Sequence, residues 1–164
     1  MAEATYFCGV TSSTIGSNKF HLALMNSGGS GRMMKIYLIQ ACGAPTAATT
    51  GWMVPLHAFR MSTNIVGGTT LTIYNASTGQ STVIATTAIA VNASATAFAL
   101  EASPFGVGAV SGEETVSGGV TNLYEFQMTG LRALLVAPGS GVVVRQGAGT
   151  GSGEVSVMVW FSLI

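Results

Sequence analysis

The chain contains no aspartate, and its 164 residues hold only six Lys and Arg against six acidic residues, all of them Glu. The missing Asp excludes an aspartyl dyad and a Ser-His-Asp relay, so only a Glu variant of the relay remains. His21 and His57 are the only imidazoles. Each sits between apolar neighbours in an expected strand, the setting of a structural histidine, and no Gly-x-Ser-x-Gly elbow supplies a nucleophile. No His-x-His cluster with a nearby Glu is present, and Glu101, Glu113, Glu114, Glu125 and Glu154 lack the spacing of a calcium loop. Two cysteines cannot make a four-ligand zinc site. The expectation is a protein that is not an enzyme and takes no cofactor and no metal.

Long hydrophobic runs are missing as well. Gly, Pro, Asn, Gln and Thr interrupt each uncharged segment before it reaches the roughly 20 apolar residues of a spanning helix, so no membrane partner is expected. The start, Met1-Ala-Glu-Ala-Thr-Tyr-Phe-Cys8, has neither a basic end nor an apolar run before a cleavage site, which reads as synthesis in the cytoplasm without a signal peptide. Asn75-Ala-Ser77 and Asn92-Ala-Ser94 match glycosylation triplets and are discounted for the same reason. A formal net charge of zero removes the attraction that drives non-specific nucleic-acid binding, so no nucleic acid is expected as partner. Gly147-Ala-Gly-Thr-Gly-Ser-Gly153 precedes an apolar strand rather than a helix N-terminus, and neither Lys19 nor Lys35 follows a glycine as a Walker loop requires. Nucleotide cradles are thereby excluded.

What is abundant is the punctuation of strands. Short runs of Val, Ile, Thr and aromatic residues end at Gly, Asn, Ser or Pro. Strands are expected near Thr5–Val10, Phe20–Asn26, Arg32–Cys42, Trp52–Ser62, Thr69–Asn75, Thr82–Val91, Ala95–Glu101, Asn122–Thr129, Ala133–Ala137, Val142–Gln146 and Glu154–Leu163. The fold class is all-β: a single domain over 1–164, an antiparallel β-sandwich of jelly-roll type with about eight to eleven strands and little or no helix. Ser27-Gly-Gly-Ser-Gly31 reads as the turn of a hairpin, and Gly147–Gly153 as a second hairpin joining the last two strands. Within Met33–Ala41 both alternating faces carry apolar groups, so that strand is expected to be covered on each side. Segment 102–119, rich in Gly and Ser, lies outside the pattern and is expected to be a long loop or an arm that orders against a neighbour.

Sparse charge sets the strongest expectation. A compact monomer of 16.6 kDa exposes roughly 7,600 Å², which leaves about one charge per 600 Å², a third or a quarter of the usual density. Met61–Leu100 contains none at all. Such a surface is expected to meet protein rather than water. The interface candidates are Leu71, Ile73, Tyr74, Val83, Ile84, Ile89 and Val91, from strands without Lys or Pro to block edge pairing, together with Phe105 on the adjoining arm. Basic residues predominate in 1–60 and Glu in 101–164, which would give complementary patches on neighbouring subunits if folding keeps the two ends apart. Trp52 and Trp160 read as core residues of strands. Cys8 and Cys42 read as reduced, buried thiols, with a disulfide between them as the alternative.

The run Ala133-Leu-Leu-Val-Ala-Pro-Gly-Ser-Gly-Val-Val-Val-Arg-Gln-Gly147, the closing strand Glu154-Val-Ser-Val-Met-Val-Trp-Phe161, and Leu22-Ala-Leu-Met-Asn26 with its Ser30-Gly-Arg32 turn resemble the ends of small jelly-roll proteins from the virions of tailed bacteriophages. The resemblance implies a structural protein without catalytic residues: a capsid decoration or cement protein, a homotrimer on the major capsid protein or another virion protein, located in the virion. The low charge and the Ala- and Thr-rich middle depart from better-defined decoration proteins and leave the station on the particle open. The second expectation is a fibre or tail-associated recognition module that binds a cell-surface glycan or receptor. A cupin-like or hydrolytic enzyme comes third.

Overall fold

The computed structural model describes residues 5–45, 52–62, 68–76, 78, 86–90, 99–112, 124–127, 133–148 and 153–164. None of these is helical. Along the chain the strands are β1 (Thr5–Thr14), β2 (Phe20–Asn26), β3 (Met34–Pro45), β4 (Trp52–Met61), β5 (Thr69–Thr70), β6 (Tyr74–Asn75), β7 (Thr86–Ala90), β8 (Gly106–Gly112), β9 (Tyr124–Gln127), β10 (Leu134–Val136), β11 (Gly141–Gln146) and β12 (Gly153–Leu163). They form two six-stranded antiparallel sheets. Sheet I runs β10-β3-β12-β1-β6, with β9 sharing the β10 side of β3, and sheet II runs β5-β7-β2-β11-β4-β8.

The pairing is nested. β1 pairs with β12, β2 with β11, β3 with β10, and β4 with β8. Successive members of this series lie in alternate sheets, so the polypeptide behaves as an antiparallel ribbon wound around one core. That winding corrects two expectations. Phe20–Asn26 and the strand after Ser27–Gly31 are not a hairpin, because β2 lies in sheet II and β3 in sheet I; the glycine segment crosses between sheets. Gly147–Gly153 likewise spans from β11 in sheet II to β12 in sheet I. Glycine marks a reversal in either case, and which sheet receives the next strand is decided by non-local pairing.

Asn26 pins two of these crossings together. Its side-chain amide donates to the carbonyls of Arg32 (2.9 Å) and Val136 (3.0 Å), while its backbone N–H donates to Ser140 and its carbonyl accepts from Gly139. Gly31 and Gly139 take φ of 63° and 80°, where a side chain would be strained. Gly141 is constrained by space instead. A β-carbon there would lie 2.5 Å from the Leu24 carbonyl oxygen and against Met61 and Met25.

Between the sheets, Val155, Val157, Val159 and Phe161 of β12 meet Leu22, Leu24, Val54, Leu56, Val142 and Val144 of sheet II, all buried. β3 lies inside its sheet, but the expected cover on each side holds for its inner face alone: Tyr37, Leu38 and Gln40 are half-buried and Cys42 is exposed. Its alternation breaks at a bulge opposite Trp160 and Phe161, so Met34, Ile36, Ile39 and Ala41 face the core, not a strict even-numbered set.

The segment expected to be one strand over Thr69–Asn75 changes sheet midway. Thr69–Thr70 pairs with β7, and Tyr74–Asn75 pairs with β1. Between them Leu71 and Ile73 turn onto the inter-sheet core, with Ile73 only 7% exposed. Of the interface candidates, Ile73 is therefore a core residue, while Leu71 and Phe105 are partly buried against the same cluster. The long loop expected over 102–119 is also corrected: Gly106–Gly112 is the edge strand β8 of sheet II. Residues 113–119, and the candidates Val83, Ile84 and Val91, lie outside the described residues. Ile89 sits in β7 opposite Ala23 and Thr70.

Candidate assembly face

The outward face of sheet I carries the most distinctive surface of the molecule. Register places Phe7 of β1 beside Trp160 of β12 and, on its other side, Tyr74 of β6; Leu38 of β3 follows beyond Trp160. The rings stack, Phe7 on Tyr74 at 5.4 Å and Phe7 on Trp160 at 4.9 Å between centroids. Such offset pairs are worth about 0.5–1.5 kcal/mol each beyond area burial. The row thus forms a preorganised apolar ladder across three strands. Trp160, expected in the core, faces outward, and its indole N–H is buried with no hydrogen-bond partner among the described residues.

The next row holds Gly9, Met158 and Gln40. Because Gly9 has no side chain, the sheet surface dips there into a groove of about 280 Å³. Phe7, Tyr74 and Met158 border it on one side and Thr11, Cys42 and Ser156 on the other. None of the lining residues is charged. Tyr74 and Met158 are 38% and 36% exposed, so large apolar groups face solvent here. Of the interface candidates named from sequence, Tyr74 is the one among the described residues that belongs to this face; Cys42, named for its thiol, lines the groove, Trp160 was read as core, and Phe7, Met158 and Gly9 were missed. The signal was present in β12, where Ser156, Met158 and Trp160 alternate with Val155, Val157, Val159 and Phe161. Both sets are apolar enough to be inside, and only packing decides between them.

Cys8 and Cys42 fall on opposite sides of sheet I. Cys8 pairs across Val159 and faces the core, whereas Cys42 pairs across Ser156 and faces the groove. Both are free thiols, so the disulfide alternative is corrected by strand alternation. Burial pushes the Cys8 thiol up to about 12, and its sulfur is inert. Cys42 is exposed rather than buried.

A second cluster is polar and lies at one end of the sandwich. His21, fully buried, has Nδ1 at 2.9 Å from Ser13 Oγ and Nε2 at 3.2 Å from Gln146 Oε1. Since Gln146 Oε1 also accepts from the Gly16 N–H (3.0 Å), the consistent tautomer has Nε2–H donating to Gln146 and Ser13 donating to Nδ1. The order hydroxyl, imidazole, amide oxygen has the form of a nucleophile relay. Ser13 is only 4% exposed, however, so its hydroxyl is turned into the packed end of the sandwich. The three side chains tie β1, β2 and β11 together. Lys19 closes the end by donating to the Thr14 carbonyl and hydroxyl. Burial, reinforced by the neighbouring Lys19 ammonium, lowers the His21 pKa to about 4 against the opposing hydrogen bond from Gln146.

His57 lies elsewhere, on the outer side of sheet II, opposite Arg145 and edge-on to Phe59. Among the described residues no three His, Cys, Asp or Glu side chains gather in a way that could hold a metal ion. Scans against protein-family models, curated proteins and solved structures give no match.

Proposed function

We propose that this chain is a structural subunit of a tailed-phage virion, a capsid decoration or cement protein that assembles as a homotrimer on the major capsid protein and stabilises the head. On this reading the sandwich is a jelly roll, supported by the nested pairing of β1 with β12, β2 with β11, β3 with β10 and β4 with β8. The observation that carries the proposal is the outer face of sheet I: an uncharged aromatic ladder and groove on a molecule with six cations and six anions in all. An apolar face of this kind calls for a protein partner. A standard contact of about 800 Å² per partner yields a gross transfer term near 20 kcal/mol, which association costs then reduce.

The alternative, a fibre or tail module that recognises a glycan, draws support from the outward Trp160. Against it stands the groove, whose lining is almost wholly apolar where a sugar needs several convergent donors and acceptors. Mixing the purified protein with emptied phage heads separates the two. Stoichiometric, saturable binding of oligomers to heads supports the decoration reading, and binding to glycan but not to heads overturns it.

A further inference from the structure

We infer that the groove on sheet I is the receiving half of a strand-addition contact: an extended, uncharged segment of a second copy of this chain pairs with the edge of β1 that no described residue occupies and seats an apolar side chain over Gly9. The inference rests on the assembly reading above and specifies its mechanism.

The edge is defined by hydrogen bonding. Ala76 N–H donates to the Thr5 carbonyl at 2.8 Å, so the backbone groups of Thr5 point toward β6. Antiparallel alternation then directs those of Phe7 and Gly9 to the same side. Phe7 is matched by Tyr74, after which the chain turns inward at Ile73 and β6 ends. Gly9 is therefore left with an N–H and a C=O facing outward and no described residue pairing with them. Further along, Lys19 occupies the Thr14 carbonyl, so the open stretch is short and bounded at both ends.

Three observations select the occupant. First, β6 already uses this edge: Tyr74–Asn75 is a two-residue strand added to β1 with its ring stacked on Phe7, and an incoming strand continues that interface. Second, the groove beside Gly9 measures about 280 Å³, just under the roughly 300–1,000 Å³ of ordinary ligand sites and suited to a single side chain. Third, its lining has no charge to match a charged partner, whereas the chain itself contains an uncharged stretch from Met61 to Leu100. Backbone pairing supplies the affinity and the side-chain socket supplies register, as in other strand-addition contacts. Because the donor segment differs from the edge that receives it, two copies can exchange segments reciprocally or several can join head to tail, in a ring where the rotation closes.

Cys42 lines the groove and is exposed, while Cys8 is fully buried, so the protein carries its own reporter and its own control. The test follows alkylation of Cys42 by iodoacetamide and hydrogen exchange at the Gly9 amide from nanomolar to tens of micromolar protein, with light scattering in parallel. Association should slow both reactions at least tenfold, and Met158→Lys, which places a charge at the rim without touching the core, should stay dispersed with both fast. Assembly with Cys42 and Gly9 as reactive as in the dispersed protein overturns the strand-addition contact and leaves the assembly reading standing. Slow alkylation with unchanged Gly9 exchange also overturns it, in favour of a face-to-face contact. A protein that remains monomeric throughout overturns both.

Discussion

The two sheets share one core but differ on their outer sides. Behind sheet II, Ala23, Met25, Phe59, Met61 and Val143 form a second buried cluster, with Phe20 and Leu100 packed on it. Leu100 bridges to Met61, and the backbones of Ala99 and Glu101 bond to Ser62 and Arg60, so the chain extends the β8 side of β4 and brings the Leu100 side chain onto this cluster. Behind sheet I, Phe7, Tyr74, Trp160 and Met158 meet solvent, and among the described residues no segment crosses them. One apolar outer face is closed by the protein itself. No described residue closes the other, and the assembly proposal is that a second copy does.

The sharpest way to break this comparison is to make equivalent changes on the two faces. Phe59→Ala, on the closed side, should destabilise the monomer by about 3–5 kcal/mol in urea unfolding, the range for truncating a buried aromatic. If it costs less than 1 kcal/mol, the second cluster is not a core.

The polar end of the sandwich gives an effect of similar size in acid. The imidazole of His21 titrates near 4 when folded and near 6.5 when unfolded. Between those values the unfolded chain binds a proton that the folded chain refuses, so stability falls as pH drops from about 6.5 and is undiminished by this group above it. The integrated loss by pH 4 is about 3 kcal/mol. Comparing thermal unfolding of the wild type with His21→Gln isolates the effect, because every glutamate is common to both. Parallel pH profiles would show that His21 is not the buried neutral base described.

Gly141→Ala should cost about 1–3 kcal/mol, since its β-carbon meets the Leu24 carbonyl, and not merely a flexible side chain. An unchanged melting temperature would mean that β2 and β11 separate easily. The smallest effect on folding is expected on the open face. Met158→Lys should alter monomer stability by no more than about 0.5 kcal/mol. A large loss of stability would place Met158 in a closed interface of the monomer and remove the contrast between the faces.

Much of the architecture was legible in the sequence because period-2 runs and glycine punctuation are local. Phe20–Asn26, Trp52–Ser62, Val142–Gln146 and Glu154–Leu163 correspond to β2, β4, β11 and β12 within a residue or so at each end. The burial of β2 and β11 on both faces was not read from the sequence; the sequence pointed instead to Met33–Ala41, whose outward residues Leu38 and Gln40 are only half-buried. What was not legible was partnership. The glycine crossings after Asn26 and after Gln146 look like hairpin turns until the sheet memberships are known, and Ile73 looks like an edge residue until the chain is seen to change sheets there. The open face was the hardest to read. In β12, Met158 and Trp160 are as apolar as Val157 and Val159, so periodicity identifies two faces without saying which one is left uncovered.

Hydroxyl-radical footprinting across a concentration series tests the central claim most directly, because Met158 and Trp160 react readily and both lie on the outer face of sheet I. The account predicts that their oxidation falls several-fold as the protein goes from dispersed to assembled, while the exposed Met53 on the other sheet keeps its rate. Equal oxidation of Met158 and Trp160 at all concentrations, in a protein shown by light scattering to have assembled, would contradict it.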